Sequence, residues 1–211
     1  MKRMIGFAML AVTGLAALSS CSKDPLKNMT EEESRVYITN HDSTVNFASY
    51  KTYSIVDSVS VIDNNRLSGK STTAWDLEML TALRNAMEAR GFRRVTHTGS
   101  PDLGISVSRL YNTSTNVVSL QDYWGGYGGY YDPYYWGYGG YGYYFPSYAV
   151  YQSTEAALSI DMLDLKNASS NGAIRGVWNG LIRGSGIFRN GAADGQVNAL
   201  FDQSPYIKTV Q

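Results

Sequence analysis

Histidine, aspartate and serine occur side by side at His41-Asp42-Ser43, and these are the residue types of a hydrolytic triad. The sequence contains one other histidine, His97, in a threonine-flanked stretch. Consecutive side chains diverge, whereas a triad is assembled from distant segments of a chain. We therefore interpret both histidines as polar loop residues, and the sequence predicts no catalytic residue.

Patterns for metal and phosphate binding are also missing from the sequence. It has a single cysteine, no pair of histidines at helical spacing, and no run of alternating acids with glycine that would suit calcium. The glycines of residues 123–148 are not followed by the Lys-Ser/Thr of a phosphate loop. We expect no metal and no cofactor. A glycosidase needs two carboxylates flanking a cleft, and the 18 acidic residues leave such a pair open.

The single cysteine, Cys21, has a different chemistry. Residues 1–20 contain Lys2 and Arg3, then an uncharged apolar stretch, then small residues before Cys21, which is the arrangement of a signal peptide. Leu18-Ser19-Ser20-Cys21 resembles a lipobox, in which the thiol receives a diacylglyceryl group before cleavage. The sequence therefore predicts a membrane anchor made of palmitate-like acyl chains on Cys21, since several chains hold a protein stably.

The charge balance and the residues after Cys21 indicate location and partners. Lys plus Arg and Asp plus Glu each total 18, and removal of residues 1–20 takes away Lys2 and Arg3 alone, which leaves a slightly negative chain. Such a chain has no electrostatic reason to bind nucleic acid. Ser22 resembles the residue of lipoproteins sorted to the outer membrane, on either its periplasmic or its cell-surface side.

Residues 123–148 are almost entirely glycine and aromatic residues. The tyrosines follow neither a two-residue nor a 3.6-residue period, so the segment predicts an inserted loop. Aromatic faces can stack on sugar rings or on one another, and we expect a mobile, exposed contact surface for an envelope glycan or another envelope protein. A tolerated low-complexity insertion without a selected partner is the alternative interpretation. The expected contact residues are Tyr123, Trp124, Tyr127, Tyr130, Tyr131, Tyr134, Tyr135, Trp136, Tyr138 and Tyr141.

Two short patterns suggest modification. Asp42-Ser43-Thr44 and Asp57-Ser58-Val59 resemble the O-glycosylation acceptor of exported Bacteroidetes proteins. Ser43 and Ser58 are the predicted acceptors, and two solvated turns are the alternative interpretation.

Periodicity predicts the elements that would position these residues. Residues 73–90 have apolar residues on one side of a helical wheel, a capping pair in Thr73 and Asp76, and Gly91 at the end. Residues 193–201 predict a second helix. Strands are expected at residues 44–56, 103–107 and 115–120, and in a hairpin of residues 158–162 and 174–181.

These elements define the expected organisation. Residues 1–20 are a signal peptide, residues 21–43 a lipidated polar tether, and residues 44–206 a single domain. Because strands and helices do not alternate strictly, we expect an α+β fold with a mostly antiparallel sheet and both helices on one face. Residues 123–148 interrupt it.

Several stretches are similar to a bacterial lipoprotein family known as domain of unknown function 4136. The stretches are residues 46–53 (Asn-Phe-Ala-Ser-Tyr-Lys-Thr-Tyr), 90–92 (Arg-Gly-Phe), 101–103 (Pro-Asp-Leu), 158–161 (Leu-Ser-Ile-Asp), 177–180 (Val-Trp-Asn-Gly), and Val197 with residues 200–201 and Pro205. The resemblance implies an envelope location, an α+β fold and no assigned activity. It implies that Phe47 and Trp178 are core aromatics, and that Asp161 faces solvent or caps a turn.

The sequence thus leaves three classes of function open. The first is a non-catalytic, lipid-anchored envelope protein for binding or assembly. The second is a glycan-active enzyme with an unidentified carboxylate pair. The third is an adhesive or self-associating surface protein that works through the Tyr/Gly-rich segment.

Overall fold

The computed structural model describes residues 29–64, 66–111, 133–144 and 156–209. The chain divides into two compact units, residues 1–34 and residues 35–211. In the first unit, residues 31–34 form a turn in which the Glu33 carboxylate accepts hydrogen bonds from the Thr30 amide at 2.8 Å and hydroxyl at 3.0 Å. The predicted signal peptide and Cys21 lie outside the described residues.

The second unit contains nine strands and three helices among its described residues. They are β1 Val36–His41, β2 Thr52–Ile55, β3 Val59–Asp63, β4 Arg66–Ser71, α1 Ala74–Ala89, β5 Arg93–Arg94, β6 Leu103–Tyr111, β7 Gly142–Tyr144, β8 Ala157–Asp164, α2 Ala168–Asn171, β9 Ala173–Arg183 and α3 Ala193–Asp202. A 3-10 turn, Phe47–Ser49, precedes β2.

All nine strands form one mixed sheet, so the α+β class is confirmed and the mostly antiparallel arrangement is wrong. The path of the sheet is β1-β9-β8-β6-β2-β5. The pairs β1–β9, β9–β8, β8–β6 and β3–β4 are antiparallel, whereas β2–β5, β2–β6, β3–β6 and β7–β9 are parallel.

The parallel pairs follow from a crossover that the sequence did not reveal. β2 pairs with the start of β6 and β3 with its end. Between β3 and β6 the chain passes through β4 and α1, and a helical crossover is what brings two strands into parallel register. The β3–β4 hairpin was not predicted, because β4 lacks an apolar alternation and a bulge between Val61 and Ile62 interrupts that of β3.

Helix α1 forms as predicted. Thr73 accepts a hydrogen bond from the Asp76 amide while the Asp76 carboxylate accepts one from the Thr73 amide at 2.7 Å. Gly91 follows the helix with φ +89°, a conformation that glycine adopts at little cost. α1 and α3 pack together on one face of the sheet, in a core that includes Trp75, Phe201 and the predicted core aromatics Phe47 and Trp178.

Strand β1 corrects the predicted tether. It lies inside residues 21–43, yet it pairs antiparallel with β9 from Val36 opposite Arg183 to His41 opposite Trp178. Five of its six side chains are half-buried, and its aliphatic residues, Val36 and Ile38, lie only at its start, so the sequence carried too short an apolar alternation to mark it. The predicted strand at residues 44–56 is likewise shorter than expected, because residues 47–49 form the 3-10 turn.

The sheet is covered on both faces. All eight residues of β8 are buried, and Ser106 and Ser108 of β6 are buried too, where a half-buried strand was expected. A second apolar cluster on the face away from α1 and α3 joins Ile62, Leu110, Leu163 and Trp136 with neighbouring residues.

The hairpin of β8 and β9 and the helix α3 are confirmed, whereas the predicted strand at residues 115–120 lies outside the described residues. Within the described residues, no helix has both the length and the apolar character needed to span a membrane.

Candidate functional site

An aromatic groove lies between the loop that precedes β6 and the described part of the Tyr/Gly-rich segment. Its volume is about 440 Å³. The lining residues are His97, Thr98, Ser100, Pro101, Tyr134, Tyr135, Trp136, Gly137 and Tyr138. None of them is Asp, Glu, Lys or Arg.

Trp136 anchors the groove to the sheet. Its side chain is 4 % exposed and lies over Gly104 of β6. A Cβ atom at Gly104 would lie 3.1 Å from Trp136 Cζ2 and 2.9 Å from Leu165 Cδ1, so the indole occupies space that only glycine leaves open. The Tyr/Gly-rich segment is therefore held on the second face of the sheet at this point.

Tyr135 and Tyr138 form fixed walls of the groove. The Tyr135 ring stacks on His97 with centroids 4.7 Å apart and meets Trp136 edge-on at 4.8 Å. The Tyr138 hydroxyl donates a hydrogen bond to the Leu165 carbonyl at 2.8 Å. Burial raises the pKa of both tyrosines, and the nearby Asp57 carboxylate adds to the shift in the pKa of Tyr135.

Tyr134 differs from its neighbours because 76 % of it is exposed. Its ring lies against the backbone of Gly139, where a Cβ atom would come within 2.6 Å of Tyr134 Cδ1. The turn thus sets the position of this ring while most of its surface faces solvent.

The opposite side of the groove carries small polar groups on a constrained loop. Ser100 has φ +51°, which an L residue with a side chain rarely adopts, and such strain concentrates at functional positions. The Thr98 hydroxyl lies 3.3 Å from the Thr96 hydroxyl. Sequence reasoning missed Thr98, Ser100 and Gly139; the one local signal was the turn sequence Gly99-Ser100-Pro101.

These contacts correct the prediction for residues 123–148. In the described part, residues 133–144, the segment is not simply an exposed loop: Trp136 is core, and Gly142–Tyr144 form β7 beside β9. Tyr134 is exposed as expected, and Tyr141 packs on Tyr138 at 5.5 Å. The other predicted contact residues, Tyr123, Trp124, Tyr127, Tyr130 and Tyr131, lie outside the described residues.

The residues of the His-Asp-Ser sequence do not form a triad. His41 ends β1 and stacks on Tyr206 at 4.1 Å. The Asp42 carboxylate accepts hydrogen bonds from the Thr44 amide and hydroxyl and pairs with Arg175 at 3.1 Å, so it stabilises a turn. Burial opposes ionisation of Asp42, but these partners outweigh it and lower the pKa.

The two predicted acceptors for O-glycosylation differ in their surroundings. Ser43 is exposed. Ser58 is half-buried, and its hydroxyl donates to the Asp57 carboxylate at 3.0 Å.

Asp161 does not face solvent or cap a turn, as the family resemblance implied. It is fully buried on the central strand β8. Asn179 Nδ2 donates to its Oδ1 at 2.7 Å and the Ser159 hydroxyl donates to its Oδ2 at 3.0 Å. Alternation alone cannot distinguish this position from an exposed one, because the covering of the second face is a tertiary feature.

Nowhere in the described part of the chain do three or more His, Cys, Asp or Glu side chains gather to hold a metal.

The Asp102 carboxylate gives a structural role to two of the stretches that resemble the family, residues 46–53 and 101–103. Asp102 Oδ2 accepts hydrogen bonds from the amides of Lys51 at 2.6 Å and Thr52 at 3.0 Å. The Asp102 amide donates in return to the Thr52 hydroxyl at 3.0 Å. The pairing joins the start of β2 to the start of β6 and places the groove loop immediately before β6.

The family model for domain of unknown function DUF4136 matches residues 38–206. The chain belongs to this family. The match covers the groove and every strand except the first residues of β1, and it confirms the resemblance inferred from the short motifs. DUF4136 assigns no activity.

One similar solved structure comes from the same family. A DUF4136 family protein from Bacteroides thetaiotaomicron is 29% identical, with a TM-score of 0.67, over 83% of this chain and 98% of that chain. The PelC dodecamer from Paraburkholderia phytofirmans is 11% identical at a TM-score of 0.39, over 84% of this chain and 99% of that chain. A PDZ domain protein from Parabacteroides distasonis is 13% identical at 0.40, over 85% of this chain and 41% of that one. The search of curated proteins gave no match.

Proposed function

We propose that this DUF4136 protein is a lipid-anchored cell-envelope protein whose domain binds a ligand without catalysis, and that the aromatic groove is the binding site. The observation that carries the proposal is the groove itself. Ligand sites in proteins are concave, lined mainly by aromatic and apolar groups, and supplied with a few polar groups that orient the ligand. The groove has aromatic walls, two hydroxyl side chains and a histidine.

The chemistry of the lining favours binding over reaction. Hydrolysis of a glycan requires two carboxylates, about 5–9 Å apart, facing the bound sugar. Among the residues that the structure describes, those lining the groove include neither Asp nor Glu. Asp161 sits inside the sheet, and Asp42 and Asp76 are occupied by structural partners. The enzymatic alternative would need a carboxylate pair elsewhere on the chain.

The anchor supplies the cellular context of this proposal. Cys21 follows a signal-peptide sequence directly, and Ser22 fits sorting to the outer membrane. The intact mass of protein extracted from membranes should correspond to a chain that begins at Cys21 and carries acyl groups. A mature chain with an unmodified Cys21 thiol would contradict the anchor and leave the groove proposal standing.

Crosslinking in cells tests the groove. A photoreactive phenylalanine analogue at position 134 should capture a ligand, whereas the same analogue at position 81, on the exposed side of α1, should not. Equal capture at both positions, or none at position 134, would overturn the proposal. Capture of a second copy of the chain at position 134 would instead support the self-associating alternative.

A further inference from the structure

Strand β1 has an outer edge to which no other strand is paired. Among the described strands, β1 pairs with β9 alone and lies at one end of the path of the sheet. The Asp42 amide donates to the Val177 carbonyl at 3.0 Å, in register with that pairing. Backbone groups of an antiparallel strand point to alternate sides, so those of Tyr37, Thr39 and His41 point away from β9.

One side chain reaches this outer edge. Gln203 Nε2 donates to the Tyr37 carbonyl at 3.4 Å, and the Thr39 hydroxyl donates to Gln203 Oε1 at 3.3 Å. Both hydrogen bonds are long, and Gln203 is exposed, so a second strand would displace this side chain at little cost. In the part of the chain that the structure describes, no other group bonds to the outward amides and carbonyls of β1.

The other edges of the sheet carry features that prevent pairing, whereas β1 does not. On the opposite side of the sheet, β5 is two arginines long, and β4 carries Arg66 and Lys70 and is irregular in register. β7 has three residues. Short strands, charged side chains and irregular register are the usual protection of an edge against another chain. The six residues of β1 include no Lys, Arg, Asp, Glu, Pro or Gly.

The sequence of β1 is complementary to itself. In an antiparallel pair with a two-fold axis at Thr39, Thr39 lies opposite its own copy and Tyr37 lies opposite His41. Threonine pairs and pairs of aromatic rings are favourable cross-strand neighbours. His41 stacks on Tyr206 at 4.1 Å, so the pairing places a further ring beside two that are already in contact. No like charges oppose each other in this register, which favours a second copy as the partner.

We infer that two copies of this chain pair through the outer edge of β1, antiparallel and centred on Thr39, so that the sheet continues from one copy into the other. Tyr37 with His41, Thr39 with Thr39, and His41 with Tyr37 then each exchange two backbone hydrogen bonds. These are the backbone groups that β9 leaves open. The inference is independent of the groove, because β1 contributes none of the groove's lining residues.

Disulfide crosslinking in cells that produce the full chain tests the pairing and its register. Thr39→Cys places two thiols opposite each other, where Cα atoms are about 5.5 Å apart and within reach of a disulfide. In Tyr37→Cys the two thiols are four residues out of register, roughly 13 Å along the strand, which is too far. After oxidation, Thr39→Cys should therefore give at least about five times as much covalent dimer as Tyr37→Cys. The wild type measures any dimer formed through Cys21, its one cysteine.

Sedimentation of the chain purified in detergent measures the same contact without a crosslink. The wild type should show a monomer–dimer equilibrium. Thr39→Lys places like charges opposite each other at the axis and should weaken association by at least about tenfold. Leu67→Lys adds the same charge at an exposed position of β4 and should leave association unchanged. Thermal unfolding followed by circular dichroism identifies a variant that has lost its fold.

Several results would overturn the inference. They are equal amounts of covalent dimer from Thr39→Cys and Tyr37→Cys, no dimer from Thr39→Cys, and a wild type that sediments as a monomer at every concentration. A disulfide from Thr39→Cys to a different protein would also overturn it, because the edge of β1 would then serve a partner of another sequence. Association unaffected by Thr39→Lys would place the contact between copies elsewhere on the chain.

Discussion

At the scale of single residues, the buried carboxylates act as structural connectors. Asp76 is fully buried at the third position of α1 and accepts hydrogen bonds from Ser71 Oγ at 2.6 Å and Thr73 Oγ1 at 2.7 Å. Arg109 pairs with it, and its guanidinium lies between the rings of Trp75 at 4.7 Å and Phe188 at 4.6 Å. The capping acid of a helix therefore also joins that helix to β6.

Replacement of Asp76 should be costly. Asp76→Ala leaves the Arg109 charge buried without its partner, and the loss of one member of a buried ion pair destabilises by about 3 kcal/mol or more. Urea unfolding should show this decrease in the free energy of unfolding. Asp57→Ala removes an exposed acid and should change it by less than about 0.5 kcal/mol. Equal effects of the two substitutions would show that the Asp76–Arg109 pair adds no stability.

At the scale of elements, α1 supplies the cap that α3 lacks. Ala192 precedes α3 and has no side chain that can accept a hydrogen bond. Glu78 of α1 accepts hydrogen bonds from the amides of Gly191 at 2.8 Å and Ala193 at 3.3 Å instead. A carboxylate at the start of a helix also interacts favourably with its dipole. The two helices are thus joined by a cap as well as by their apolar faces.

The contribution of this cap can be measured. Glu78→Ala should lower the free energy of unfolding by about 1 kcal/mol, the usual loss for an N-terminal cap. Hydrogen exchange should speed up most at the amides of Gly191 and Ala193. Glu88→Ala, at an exposed position of the same helix, serves as the control and should leave exchange in α3 unchanged. Unaltered exchange at both amides in Glu78→Ala would show that the cap does not hold α3.

The opposite end of α3 is closed by the same helix. Arg90, which ends α1, donates to the carbonyls of Phe201 at 2.8 Å, Ser204 at 3.2 Å and Ile207 at 3.2 Å. Its guanidinium also lies 4.9 Å from the Phe201 ring. The Arg-Gly-Phe motif of the family therefore has a structural role: the arginine satisfies the end of α3, and Gly91 lets the chain turn close to Thr209.

At the scale of the whole molecule, the ionised carboxylates make stability depend on pH. Burial alone would raise the pKa of Asp76, but hydrogen bonds from Ser71 and Thr73 and the charge of Arg109 lower it overall. The pKa of Asp42 is lowered in the same way by Thr44 and Arg175. In the unfolded chain both groups titrate near the ordinary aspartate value of about 3.9.

The sign of the effect follows from linkage. A carboxylate whose pKa is lower in the folded state contributes stability above the unfolded value, and that contribution is lost as pH falls through the folded pKa. The free energy of unfolding should therefore fall between about pH 5 and about pH 2. Asp76→Asn should be less stable at neutral pH and should lose less stability over this range. Parallel curves for the wild type and Asp76→Asn would contradict this assignment.

Local pattern was sufficient for the elements whose stability is local. The capping pair of Thr73 and Asp76, the apolar side of α1 and the β8–β9 hairpin could be predicted because they depend on residues close in sequence. The family motifs were recognisable for the same reason, but the sequence did not reveal their structural roles. Asp161 and Asp102 have similar sequence surroundings, yet Asp161 is buried in the sheet and Asp102 bridges two strands.

Tertiary structure alone decided the features that depend on distant contacts. The parallel pairing of β2 and β3 with β6 results from the α1 crossover, and β1 is a strand because β9 offers it an edge. The groove exists because Gly104 admits the Trp136 indole and Gly139 supports the Tyr134 ring. The sequence contains 21 glycines and does not show which of them will contact an aromatic ring, because that contact forms only when the chain has folded.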